Sequence, residues 1–240
     1  MSITPIRPKW AGTMTDRQRF NRQMHFQPVD RCFHTEFGYW NENFRRWSIF
    51  REHGITNNAD AHRLLNFDRF EGVGGPVGLH PPFEQETIRE TATTKVVRNS
   101  EGLIGEVPKD GHDTIPHYTE SSIKTPDDWQ QVKERRYRRD DPERRVDVDA
   151  LRRRHPPDRD YPLAVHTGSM IGRVRNLLTF EGLAYATYDY PDMVEDMVET
   201  QCVLVEDFLD QVLGRIDFDC AAGWEDISFK SGPLVSLPFF

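Results

Sequence analysis

The stretch from Pro162 to Gly223 constrains the fold more than any other. It opens on a compact apolar strand, Pro162-Leu163-Ala164-Val165-His166, turns at Thr167-Gly168-Ser169 and enters a helical stretch, Ile171 to Leu178. A longer helix from Asp192 to Leu213 carries Met193, Met197, Val198, Cys202, Val205, Phe208, Leu209 and Val212 on a broad apolar face. Gly214 lies just past it, and Ile216 to Ala222 is a second strand, ending in Gly223-Trp224-Glu225-Asp226. Strands alternating with helices build parallel sheets, because parallel neighbours need a long crossover, so the pattern predicts an α/β sheet or barrel.

Upstream, a first dozen residues expected to fray lead to Thr15-Asp16-Arg17-Gln18, which has the pattern of a capping box. The helix it opens presents Phe20, Met24 and His25 on one face and stops at Pro28. Val29 to Phe37 is predicted as a strand running into Gly38-Tyr39-Trp40 and a helix over Glu42 to Glu52. A short helix over Ala59 to Phe67 follows, and Gly72-Val73-Gly74-Gly75-Pro76 breaks the pattern. Residues 85–124 change character. Thr87 to Val97, Leu103 to Val107 and Tyr118 to Ile123 alternate or carry β-branched residues, with turns at Asn99-Ser100-Glu101-Gly102 and Lys109-Asp110-Gly111, which predicts an antiparallel excursion. Thr125 then caps a helix with Pro126 at its first position.

Charge and composition remove several function classes. The net charge of -8 argues against nucleic acid as the main partner, although Lys133 to Arg154 holds ten basic residues. Six acids interleave with them, which suits solvated helix faces joined at Asp141-Pro142. No apolar run approaches the roughly 18 residues of a membrane span, and the start lacks the apolar centre of a signal peptide, so a soluble cytoplasmic protein is expected. Cys32, Cys202 and Cys220 are widely spaced, with no C-x-x-C pair, and read as ordinary thiols. Cys32-Phe33-His34 offers two metal ligands on one strand face but no identifiable third, so no metal site is assigned. Phosphate-loop, H-E-x-x-H and G-x-S-x-G motifs are absent.

Polar groups that follow the apolar segments are the candidate site. These are Glu36 and Trp40 after the first, Asp68 after the second, His166, Gly168 and Ser169 after the third, and Trp224, Glu225 and Asp226 after the fourth. In a parallel barrel such positions share one rim, where sites are built. Gly168 and Ser169 at a helix start leave backbone N–H groups free to receive a carboxylate or phosphate, or else Ser169 simply caps the helix over a buried histidine. Glu225 and Asp226 beside Trp224 suit a proton donor and a charge stabiliser, or an ion pair with Lys230.

The order of Met14-Thr15-Asp16-Arg17-Gln18-Arg19-Phe20, Pro28-Val29-Asp30-Arg31, Glu36-Phe37-Gly38-Tyr39-Trp40, Thr167-Gly168-Ser169, Leu177 to Leu183, Trp224-Glu225-Asp226 and Ser231 to Ser236 resembles the uroporphyrinogen decarboxylase superfamily. That superfamily includes cobamide-dependent methyltransferases. The resemblance covers nearly the whole chain and implies a single (β/α)8 barrel acting on a tetrapyrrole or a corrinoid-linked methyl donor, with a corrinoid protein as a possible partner. The decarboxylases grip substrate carboxylates with an R-Q-A-G-R segment after the first strand. Here Glu36-Phe37-Gly38-Tyr39-Trp40 stands there without positive charge, so the resemblance points to the methyl-transfer branch, with decarboxylation of uroporphyrinogen in porphyrin biosynthesis as the alternative. In that branch zinc is held by an H-x-C pair and a later cysteine, on strands past Phe240. The chain is therefore expected to be an incomplete barrel, about its first half, ending at Leu237-Pro238-Phe239-Phe240, and to associate with a partner or itself. A non-catalytic tetrapyrrole or corrinoid binder is the expectation from another class.

Overall fold

The strand–helix–strand pattern of the sequence becomes the parallel sheet at the centre of the fold. In the computed structural model, which describes residues 3–9, 11–110 and 116–236, the chain is mixed α/β. Four short helices come first: α1 (Asp16–Met24), α2 (Asn41–Arg46), α3 (Ser48–Arg51) and α4 (Asn58–Leu65). Strand β1 (Glu71–Val73) precedes the antiparallel strands β2 (Glu86–Glu90), β3 (Thr94–Arg98), β4 (Leu103–Pro108) and β5 (His117–Ser121). Helix α5 (Pro126–Arg136), a 3-10 turn (Pro142–Arg144) and α6 (Val148–Arg154) lead to β6 (Leu163–Gly168). Then come α7 (Ile171–Leu178), α8 (Phe180–Asp189), α9 (Pro191–Val212), β7 (Cys220–Gly223) and a small hairpin, β8 (Ser228–Phe229) with β9 (Gly232–Pro233). The end of the chain, Leu237 to Phe240, and Gly111 of the expected turn lie outside the described residues.

The parallel sheet has the order β1-β6-β7, with Gly72 beside Ala164 and Val165 beside Ala221. Among the described residues it has three strands, fewer than the four expected, and no closed barrel forms. The difference lies in its first member. Val29 to Phe37 has no strand, because side chains take the backbone groups a ladder would use. Gln23 accepts from Phe33 N–H at 2.8 Å and Asp68 from His34 N–H at 2.9 Å, while His34 C=O binds Asp68 N–H. The glycine-rich segment supplies β1 instead. A Cβ on Gly72 would collide with the His166 ring of the neighbouring strand, so glycine here permits the pairing.

Other boundaries move for local reasons. The helix expected over Glu42 to Glu52 breaks at Trp47, whose ψ of 127° is extended and whose ring stacks on Phe50. Met24 is exposed on α1, and the buried side chain of that helix is Arg19. The strand expected over Thr87 to Val97 folds back on itself as β2 and β3, because Thr91 Oγ1 accepts from Thr93 and Thr94 N–H and makes a turn. The leading segment expected to fray is tied to α4, with Ile6 N–H on Leu64 C=O and Asn66 on Arg7 C=O. The caps at Thr15 and Thr125 form as the sequence predicts.

Helix α9 joins two cores. Its first half packs Met193, Val194 and Met197, joined further along by Leu204, with Trp129, Val174, Leu177 and Leu183 of α5, α7 and α8. Its second half lays Phe208 and Val212 against Val73, Leu163 and Val165 of the parallel sheet. Asp196 fastens α9 to α5 by accepting from Trp129 Nε1 and Lys133 Nζ, both at 2.6 Å. Among the described residues, no helix is long and apolar enough to cross a membrane.

The N-terminal edge of the sheet rests on two buried carboxylates. Asp219, just ahead of β7 and with its side chain 2% exposed, accepts from Arg17 Nε and Asn21 Nδ2 of α1, both at 2.7 Å. It also accepts from Arg159 and, at 2.9 Å, from Leu163 N–H at the start of β6. Asp68, ahead of β1, pairs with both terminal nitrogens of Arg31 at 2.6 Å, with Lys9 at 3.3 Å and with Arg19 at 3.7 Å. Burial works against the charge on Asp219, but Asn21, Arg17, Leu163 N–H and Arg159 outweigh it and hold its pKa below the usual range. Replacing Asp219 with Ala leaves the buried Arg159 guanidinium short of its nearest partner, and the expected loss of unfolding free energy in urea is about 3–5 kcal/mol. Because the folded pKa is depressed, this stability is present above the unfolded value of about 4 and is lost as pH falls through the folded value. Asp219→Asn should flatten the acid limb of a Tm-against-pH curve, and an unchanged limb would assign the acid response to other carboxylates.

Candidate functional site

The C-terminal ends of β6 and β7 bring most of the sequence-predicted residues to one rim. Gly168 closes β6 with φ at +75°, a conformation that costs glycine little, and its C=O receives Trp224 N–H at 3.2 Å. Thr167 Oγ1 reaches Ala222 C=O at 3.4 Å, locking the two strand ends together. The backbone donors at the start of α7 do receive a carboxylate, and it is the chain's own. Glu225 accepts from Met170 N–H and, at 2.9 Å, from Gly172 N–H. Ser169 makes no cap, since Met170 occupies the N-cap position without a side-chain bond. A Cβ on Gly172 would strike Ser169 Oγ and crowd Glu225, so this glycine lets both approach the helix start.

Two clefts meet at His166. The smaller, of about 400 Å³, is bordered by His166, Gly168, Ser169 and Trp224, together with Arg173 and Gln201. The larger, of about 990 Å³, is bordered by Glu36, Asp68, His166, His62 and the rings of Phe67 and Phe70. Glu36 binds Phe37 N–H at 2.8 Å, and the Phe37 ring lies 5.7 Å from that of Trp224, which ties the 29–40 segment to the loop after β7. Burial lowers the pKa of His62 against the pull of Glu36, and its Nε2 is buried without a partner. His62 is thus held towards its neutral form, able to accept or donate one proton.

The remaining candidates stand apart. Asp68 borders the larger cleft, but it lies before β1, at the opposite end of the sheet, and its carboxylate is engaged by Arg31. Trp40 is exposed and begins α2. Asp226 pairs with Arg175 at 3.1 Å, not with Lys230, beside a groove carrying Phe180 and Phe229. Cys32 is exposed and His34 packs edge-on against Phe67. Among the described residues, no group of three or more His, Cys, Asp or Glu comes together in a way that could hold a metal ion.

Sequence reasoning missed His62, Arg173 and Gln201. Arg173, on the first turn of α7, is ion-paired with Glu101 of the antiparallel sheet. Burial opposes its charge, and Tyr137 and Glu101 outweigh burial. Gly78 makes room for it, since a Cβ there would sit 2.8 Å from Arg173 Nη2. Gln201 did leave a signal: it is a polar residue inside the apolar stripe of α9, between Met197, Cys202 and Val205.

No protein-family model matches the chain, no curated protein matches it, and no solved structure matches it. The rim therefore stands on its own geometry. Glu225→Ala should remove the cap from α7, with a loss of about 0.5–2 kcal/mol and faster amide exchange at Met170 and Gly172. Unchanged exchange at those two amides would show that the carboxylate does not hold the turn.

Proposed function

We propose that the chain is a protein of the uroporphyrinogen decarboxylase type, a (β/α)8-related fold, whose rim serves tetrapyrrole-linked or corrinoid-linked methyl transfer. The observation that carries this reading is His166: it stands at the C-terminal end of the central parallel strand and borders both clefts. Sequential parallel strands joined by helices are in keeping with it, since sites on such sheets gather outside the carboxyl ends of the strands. In this reading His166 and Glu36 handle protons across the larger cleft, while Trp224 and the Gly168 turn border the bound ring system. The loop donors at α7 are already taken by Glu225, which fixes that turn before any ligand arrives.

The balance of charge supports methyl transfer over decarboxylation of a polycarboxylate. Each arginine bordering the two clefts already holds a carboxylate of the chain: Arg63 with Asp60 at 2.9 Å, Arg69 with Glu71 at 3.0 Å, and Arg173 with Glu101. A substrate with many carboxylates calls for free cations, and these are spoken for.

Titration with hydroxocobalamin, followed by visible absorbance, is expected to give a saturable band shift that His166→Ala weakens about tenfold. Loss of carboxyl groups from uroporphyrinogen without a cobalamin shift would move the protein to the decarboxylase branch. A shift without methyl transfer to any thiol would make it a binder, and the absence of both responses would remove the reading.

A further inference from the structure

The smaller cleft contains a polar group that the fold does not satisfy. Gln201 is 2% exposed, lies on the buried face of α9, and its Oε1 has no hydrogen-bond partner. Leaving a buried amide oxygen unpaired costs about 1–3 kcal/mol, and a hydrophobic residue on this apolar stripe would avoid that cost. The orphan atom belongs to a side chain that borders an open cavity, where a ligand could supply the missing donor. Across the same cavity stands Arg173, whose Nη1 binds Glu101 and whose Nε is buried without a partner.

We propose that this cleft is a subsite for a primary carboxamide group of the ligand, held between the Gln201 amide and the Arg173 guanidinium. Three features select the carboxamide. Gln201 needs a donor, which a carboxylate lacks. Arg173 still offers N–H groups, but Glu101 has neutralised its charge, so a ligand acceptor gains a hydrogen bond without needing to be an anion. A primary carboxamide supplies both, a donor for Gln201 Oε1 and an acceptor for the Arg173 N–H groups. Ser169 borders the same cleft. The assignment rests on the rim being a ligand site, and it narrows the ligand to one with amide rather than acid side arms.

The side-chain NH2 resonances of Gln201 in the 15N-labelled protein report directly on the site. Titration with propionamide should shift them saturably in the millimolar range, and propionate should give a response about tenfold weaker. An equal response to propionate, or none to propionamide, would overturn the assignment. In Gln201→Met, which lacks that reporter, the propionamide-induced shifts of the Gly168 and Ser169 backbone amides should be abolished while Tm rises, because the variant removes an unpaired buried polar group; a purely structural glutamine would lower Tm on replacement. Should that variant fail to fold, the wild-type titration alone decides. Cobalamin binding without a propionamide response removes the subsite and leaves the rim reading in place. A propionamide response without cobalamin binding upholds the subsite and removes the corrinoid reading.

Discussion

Two carboxylates buried under the parallel sheet hold the structure together. Asp219 sits directly ahead of β7 and Asp68 shortly ahead of β1, and each is met by an arginine from α1, Arg17 for one and Arg19 for the other. Such pairs add little net stability over an apolar replacement, but removing one partner strands a charge away from water. Their effect is therefore on arrangement: through Arg17 on Asp219 and Arg19 on Asp30 and Asp68, α1 is tied across the base of the sheet. With the base fixed, β6 and β7 enter the sheet in register, and their far ends are delivered to one place.

At that far end the loops are held by backbone-directed contacts in addition to the packing of Val77 and Leu79 on the cores. Arg144 donates to the carbonyls of Arg138 and Pro76 at 2.6 Å, Arg136 at 3.0 Å and Gly78 at 3.1 Å, which pins the loop after β1 against α5. Glu225 does the same for the turn before α7. Both devices fix main chain while leaving side chains such as His166 free. This separation of scaffold from reactive groups is what a site on loops requires.

The regular elements of the C-terminal half were legible because periodicity there agrees with packing. Helix α7 spans Ile171–Leu178 as its apolar spacing predicts, and α9 begins and ends within one residue of the sequence reading. The first strand was not legible. Val29 to Phe37 has the composition of a strand, yet its backbone is claimed by Gln23 and Asp68, partners that no local pattern reveals. Glu71–Val73 looks like a breaker, yet it pairs with β6, and the absent side chain of Gly72 leaves the space that the His166 ring occupies. Helix α8 also escaped notice, since Thr179 enters it at φ +72°, an unusual start that its hydroxyl offsets by binding Gly182 N–H at 3.1 Å. Of the candidate site, the residues next to strand ends were readable by position, while His62, Arg173 and Gln201 depend on contacts between distant segments.

Helix α9 has a further consequence. Its 22 residues serve the helical core with one half and the sheet core with the other, so neither core can open without disturbing the same rod. Two clusters that look separate therefore form a single cooperative unit. The antiparallel sheet stands outside that unit: β2 is exposed along its whole length, and a buried link to the body runs through Ser121, which donates to Leu177 C=O. Glu101, in the turn between β3 and β4, pairs with Arg173, so the antiparallel sheet contributes directly to the wall of the smaller cleft.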